Sequence, residues 1–185
     1  DDSADGFVRS EGCGAIVLKP LSSAQRGGDN VLAVIMGGSV NHDGHSSGLT
    51  VPSGPSQQAV IKSALKNANL KPEDINYIES HGTGTAIGDP IEIGALAGVF
   101  GTSHSKQNPL IVGSVKANFG HLEPAAGIAG LIKAALVIQH RQIPGQVHYN
   151  VPSHLIDWQN IPIQIPEATM NVYEEAVPLL VAVSS

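Results

Sequence analysis

Cysteine is almost missing from this chain. Cys13 is the only one among 185 residues, so no disulfide can form within the chain and no thiolate-rich metal site can be assembled from it. Charge is also scarce: 14% of the residues are charged, with 10 Lys+Arg against 16 Asp+Glu and a net charge of −6. The basic surface needed to neutralise a phosphate backbone is therefore lacking, which excludes DNA and RNA as first-choice partners. Long apolar runs are missing as well. The longest low-charge stretch, residues 124–139, contains Lys133 and falls short of the roughly 20 apolar residues that cross a bilayer. It reads as a buried helix of a soluble domain, with no membrane partner. The first residues, Asp1-Asp2-Ser3-Ala4-Asp5-Gly6, have neither a basic nor an apolar leader segment, so a reducing, cytoplasmic setting is expected. What the chain does have is 42% hydrophobic residues and 21 glycines, with a mean hydropathy of +0.06. This composition and length suit a globular chain with a core of its own and close packing of small residues.

Short apolar runs at residues 7–9 and 15–19 flank a glycine-rich turn that holds Cys13, and predict two strands. A helical piece over 21–25 precedes the breaker Arg26-Gly27-Gly28-Asp29, after which 31–36 reads as a continuous buried strand. Residues 37–55 have loop chemistry. A helix follows from about Ser56, with Ala59, Val60, Ala64, Leu65 and Ala68 at helical spacing. Strands are predicted at 75–80 and 110–116, and a helix from about Pro124. Asp89-Pro90-Ile91-Glu92 has the form of a helix start: a capping acid, proline in the first turn and a glutamate reaching back. After Arg141 five prolines break the chain into extended pieces, and 179–185 reads as a last strand. The alternation of helix and strand predicts a layered α/β fold with parallel neighbouring strands.

Two histidines hold equivalent places in consecutive strand-to-helix units. His81 closes the strand at 75–80 and His121 follows the strand at 110–116, so both are expected at the carboxyl edge of the sheet, where ligands bind in open α/β folds. Glycine-rich surroundings, His81-Gly82-Thr83-Gly84-Thr85 and Asn118-Phe119-Gly120-His121, allow backbone to approach a ligand there. Of the eight histidines, His104, His140, His148 and His154 are assigned to surface or loop. Asp89 and Glu92 are explained by the capping pattern. Lys116 is either a solvated strand end or a buried cation that tunes the site. His42, Asp43 and His45 lack a further cluster to complete a zinc site, so no metal is assigned. Gly82 and Gly84 belong to neither a dinucleotide fingerprint nor a phosphate loop. Gly127 and Gly130 are read as close helix-packing positions.

The run His81-Gly82-Thr83-Gly84-Thr85 with Gly88-Asp89-Pro90-Ile91-Glu92, followed by Gly113-Ser114-Val115-Lys116-Ala117-Asn118-Phe119-Gly120-His121-Leu122-Glu123, closely resembles the β-ketoacyl synthase (ketosynthase) family, and most of all its modular polyketide synthase branch. Ala4-Asp5-Gly6-Phe7-Val8-Arg9, Glu11-Gly12-Cys13-Gly14, Asn41-His42-Asp43-Gly44, Gly48-Leu49-Thr50 and His154-Leu155-Ile156-Asp157-Trp158 agree with it. The resemblance implies a thiolase-like layered α/β fold in partial copy. Residues 1–40 would end the N-terminal half and 41–185 would supply the C-terminal half without its final loop and strands.

The reaction the resemblance implies is decarboxylative Claisen condensation of an acyl thioester with a malonyl-type extender on an acyl carrier protein. By the same resemblance His81 and His121 are catalytic, donating hydrogen bonds to the extender thioester oxygen. Lys116 supports His121, and Thr83 and Thr85 contact the phosphopantetheine arm, the only cofactor-like group implied. The family nucleophile lies upstream of the region matched by Asp1. Cys13, in the Glu-Gly-Cys-Gly turn, is not that nucleophile, and the isolated chain is expected not to condense substrates. Implied partners are the carrier protein, other polyketide synthase domains and a second copy in a homodimer. Fatty-acid elongation and a non-catalytic partner protein of the same fold are the rival readings.

Overall fold

The period-two alternation at Tyr77, Ile78 and Glu79 gives one strand two buried faces, and the rest of the molecule is arranged around them. The computed structural model describes residues 1–44, 46, 48, 50–172 and 178–185. Strand β1 (Tyr77–Glu79) lies parallel to β2 (Leu110–Gly113) on one side and to β6 (Val181–Val183) on the other, while β4 (Ile163–Gln164) extends the sheet beyond β2. The order is β4-β2-β1-β6. Residues on one face, Ile78, Leu110, Val112 and Ile163, pack with Leu65 of helix α2 (Gly54–Ala68) and Ile93, Leu96, Val99 and Phe100 of α3 (Gly88–Phe100). On the opposite face Tyr77 and Ile111 meet Val137 of α5 (Ala126–His140) together with Ile143 and Leu179. Both faces of a parallel sheet are thus covered by helices, the arrangement that makes its strands read as unbroken apolar runs. Leu96 is 1% exposed, and truncating it to alanine is expected to cost about 2–5 kcal/mol.

The predicted parallel α/β order holds. Among the helices, α1 spans Leu21–Gly27 and α4 is a single turn, Lys116–Phe119. The strand predicted over 110–116 stops at Gly113, so Lys116 opens a helix instead of ending a strand. Beyond Arg141 the extended pieces include β3 (Gln142–Ile143) and β5 (Met170–Asn171), an antiparallel pair. Gly130 fits its packing role: a Cβ there would lie 3.2 Å from Val183 and 3.3 Å from Glu79, so α5 rests directly on β6 and β1. No helix among the described residues is long and apolar enough to cross a membrane.

The strands predicted at 7–9, 15–19 and 31–36 are not formed. A strand is stabilised only when a neighbour takes up its backbone N–H and C=O groups, and here Arg9 alone is bridged, in parallel, to His121. The side chains remain exposed, with Val17 at 98% and Leu18 at 69%. His45 and Leu49 fall outside the described residues.

Candidate functional site

Strands β1 and β2 run side by side in register, Glu79 opposite Gly113, so the segments leaving their carboxyl ends emerge together. His81 follows the first and His121 follows α4 after the second. Their rings meet edge to face with centroids 5.3 Å apart. Phe7 also packs edge to face with the His121 ring, centroids 5.1 Å apart, and two backbone bonds fix His121: its N–H donates to the Val8 carbonyl (2.8 Å) and its carbonyl accepts from the Ser10 N–H (3.0 Å). Gly120 makes the approach possible. It has φ +78°, and a Cβ there would stand 2.9 Å from the Val8 carbonyl oxygen.

The Glu123 N–H donates to Nδ1 of His121 at 3.1 Å. With Nδ1 acting as acceptor, a neutral imidazole carries its proton on Nε2, which is left to donate elsewhere. Glu123 adopts φ +51°, a left-handed conformation uncommon outside glycine. Its carboxylate is held by a forked contact with Arg9, Nε to Oε1 at 2.7 Å and a second guanidinium nitrogen to Oε2 at 3.0 Å. His81 is more enclosed. Its Nδ1 is buried with no hydrogen-bond partner among the described residues.

Burial, the Lys116 cation and His121 push the His81 pKa down to about 4. His121 is also lowered, by desolvation and then Lys116, with Glu123 acting in the opposite sense. Both rings are therefore biased toward the neutral form at neutral pH. Lys116 itself is buried, 9% exposed. Burial lowers its pKa, and the carboxylates of Glu92 and Glu79 oppose that shift. Of the two readings of Lys116, the solvated strand end does not hold: its side chain is buried.

Asp89 and Glu92 do not form the predicted capping box. Helix α3 begins at Gly88, and no side chain of its preceding residue, Ile87, caps it. The Thr85 hydroxyl accepts from the Gly88 N–H at 3.0 Å. Glu92, one turn in, accepts from the N–H groups of both His81 (2.7 Å) and Gly82 (2.8 Å), and Asp89 accepts from the Gly84 N–H at 3.0 Å. The two acids bind the histidine loop and not the helix end. Burial raises the pKa of each, and these backbone bonds counter it. Thr83 and Thr85 face each other across the loop, their hydroxyls 3.4 Å apart.

Other residues complete the surroundings. Gln146 holds the Ser114 backbone from both sides, its Oε1 accepting from the N–H (2.8 Å) and its Nε2 donating to the carbonyl (3.0 Å). Cys13 is exposed, between Gly12, which sits over Leu122, and Gly14, which sits over Ile128. His104 lies in a loop but is half-buried, one ring nitrogen 3.1 Å from the Ile75 carbonyl. His140, His148 and His154 are exposed, and His154 pairs with Asp2.

Two family models match this chain. Residues 32–150 match the β-ketoacyl synthase C-terminal domain and residues 1–24 its N-terminal domain. The chain belongs to the β-ketoacyl synthase family. Among curated relatives it is 50% identical over 165 residues to a phenolphthiocerol/phthiocerol polyketide synthase of Mycobacterium tuberculosis, covering 89% of this chain and 9% of that protein. It is 51% identical over 156 residues to erythronolide synthase EryA3 of Saccharopolyspora erythraea, covering 84% of this chain and 5% of that one. Among solved structures, an oxazolomycin ketosynthase domain from Streptomyces albus superposes with TM-score 0.89 at 35% identity, covering 98% of this chain and 32% of that one. The ketosynthase from module 6 of the bacillaene synthase of Bacillus subtilis 168 gives 0.87 at 36%, covering 92% and 30%. The fold is accordingly thiolase-like, in partial copy. The chain spans 5–9% of these curated synthases and about a third of a solved ketosynthase chain.

The structure brings His81, His121 and Lys116 together. Glu79, Glu123 and Gln146, which the sequence did not single out, share the same surroundings, as does Glu92, which the sequence assigned to the helix start. Glu79 did leave a signal, since a carboxylate directly after Tyr77 and Ile78 in a strand with two buried faces must have partners.

Proposed function

We propose that this chain supplies the histidine-bearing part of a polyketide-type ketosynthase that carries out decarboxylative Claisen condensation. The observation that carries the reading is the edge-to-face pair of His81 and His121 beside the buried Lys116. In this reading an acyl chain is held as a thioester on a cysteine supplied upstream of the matched region. A malonyl-type thioester on the phosphopantetheine arm of an acyl carrier protein enters between the histidines. Its carboxylate–carbon bond breaks, CO2 leaves, and the electron pair moves onto the thioester oxygen as an enolate. Neutral imidazoles donating through Nε2–H stabilise that charge as it develops, the role of an oxyanion hole. The enolate carbon then attacks the acyl carbonyl, a new carbon–carbon bond forms, and the cysteine thiolate is expelled. Splitting the transfer through a covalent thioester replaces one difficult step with two easier ones.

The roles of the supporting groups follow. Lys116 holds positive charge near both rings and disfavours imidazolium, which would carry a surplus proton. Thr83 and Thr85 line the loop expected to meet the phosphopantetheine arm. Residues 1–40 are read as the end of the N-terminal half and 41–185 as the C-terminal half; the family matches pass from the N-terminal to the C-terminal model between residues 24 and 32, ahead of that boundary. Cys13 stays in the exposed Glu-Gly-Cys-Gly turn; in this reading it is not the nucleophile, and the chain alone does not condense substrates. Partners in this reading are the carrier protein, neighbouring synthase domains and a second ketosynthase copy.

The test is condensation by a complete ketosynthase domain containing this segment, supplied with acyl and malonyl carrier protein. Cys13→Ser is expected to leave turnover intact, and His81→Ala or His121→Ala to lower it at least a hundredfold. Loss of turnover in Cys13→Ser would overturn the assignment of the cysteine.

A further inference from the structure

Glu79 is the last residue of β1, two before His81, and is 1% exposed. Its carboxylate takes three donors. Tyr77, on the same face of the strand, donates its hydroxyl to Oε2 at 2.6 Å. Lys133 of α5 places Nζ 2.8 Å from the same oxygen and 5.8 Å above the Tyr77 ring. Oε1 accepts from the N–H of Val115, the residue that precedes α4. One side chain therefore joins the strand that leads to His81, the helical turn that leads through Lys116 to His121, and the helix beneath both. Gly130 lets α5 lie close enough for this, its Cα facing the Glu79 side chain.

Glu79 also acts on Lys116 through space, as one of two carboxylates that favour its charged form; Glu92 of α3 is the other. The further titratable groups facing Lys116 are the two imidazoles themselves. A buried ion pair is weak evidence of stabilisation, because desolvation offsets much of the attraction and a neutral pair of similar volume often serves as well. A Glu79–Lys133–Tyr77 cluster at the join of the two histidine-bearing segments is therefore placed to do more than hold the core.

We propose that Glu79, braced by Lys133 and Tyr77, is a positioning residue for the two-histidine site, fixing the start of α4 against the end of β1 and supplying negative charge behind Lys116. The proposal rests on the ketosynthase reading above. Glu79 acts through Lys116 and the backbone, without touching substrate.

The test compares a complete ketosynthase domain containing this segment with its Glu79→Gln/Lys133→Met double variant, which removes both charges at nearly constant volume. Release of CO2 from malonyl carrier protein is followed across pH, beside the melting temperature. The double variant is expected to melt within about 3 °C of the parent, since no charge is left unpaired. Its kcat is expected to fall about tenfold with KM changed less than twofold. The alkaline limb of its kcat profile moves to lower pH, because Lys116 loses one of the carboxylates that keep it protonated. A double variant with parental kcat and parental pH profile would contradict the proposal and leave the cluster as core packing. Where the double variant does not fold, Tyr77→Phe takes its place: deleting one hydrogen bond to the same carboxylate should lower kcat two- to fivefold at unchanged KM, and unchanged kcat overturns the proposal. A parent domain that releases no CO2 would instead refute the ketosynthase reading itself.

Discussion

At the scale of single residues, the two histidines are chemically unequal although their places in the sequence are equivalent. His81 is enclosed and its pKa falls to about 4, from an ordinary 6.5, through burial first and the Lys116 charge second. His121 is more open and is lowered by the same causes, with Glu123 opposing them. The sign for stability follows from proton binding. Between pH 6.5 and about 4 the unfolded chain binds a proton at residue 81 that the folded chain does not, so folding is progressively disfavoured as pH falls through that window. Above pH 6.5 the contribution is complete. Titration of the ring resonances by NMR in a complete domain is expected to show His81 still neutral at pH 5. A His81 midpoint at 6 or above would show that burial and Lys116 do not act on it as described.

This inequality was not legible from the chain. Both residues follow a strand in glycine-rich segments, and what separates them is depth, set by packing between segments: Glu92 holds the loop at His81, while Phe7 lies against the more open His121. Lys116 shows the same limit. Its five-residue spacing from His121 allowed either a solvated end or a buried cation, and the choice was made by carboxylates 24 and 37 residues earlier in the chain, at positions 92 and 79.

At the scale of elements, the parallel strands and the main helices were legible because their apolar spacing is local and unambiguous. The start of α3 was not. Asp-Pro-Ile-Glu satisfies a capping pattern, yet the same acids can turn toward an adjacent loop, and only the return of residues 81–84 over the first turn of α3 decides between the two. That return depends on Gly82, which has φ +44° and would bring a Cβ 2.8 Å from Ser114 Cβ. Gly82→Ala is therefore expected to destabilise the fold by about 1–3 kcal/mol, from backbone strain and the steric contact together. Denaturant unfolding of a complete domain measures this, and a loss under 0.5 kcal/mol would show that the loop adjusts freely.

At the scale of the whole molecule, the sheet β4-β2-β1-β6 is covered on both faces, whereas the apolar segments at 7–9, 15–19 and 31–36 form no strand, with Arg9 joined to His121 by an isolated bridge. Sequence patterning announced strands there because it records apolar content, and it is silent on whether a neighbouring strand is present to complete the ladder. The histidine site escapes this dependence. It is built from β1, α3, β2 and α4, all of which pack within the chain, with residues 7–10 laid across His121. The pairing of His81 with His121 is thus built within this segment, while in the proposed reading the nucleophile and most of the acyl pocket come from the rest of the domain. The most direct measurement is CO2 release from malonyl carrier protein by a complete ketosynthase domain, comparing the parent with His81→Ala and His121→Ala. Each substitution is expected to lower the decarboxylation rate at least a hundredfold while acyl loading of the upstream cysteine still proceeds; decarboxylation at the parental rate in either variant would contradict the two-histidine site.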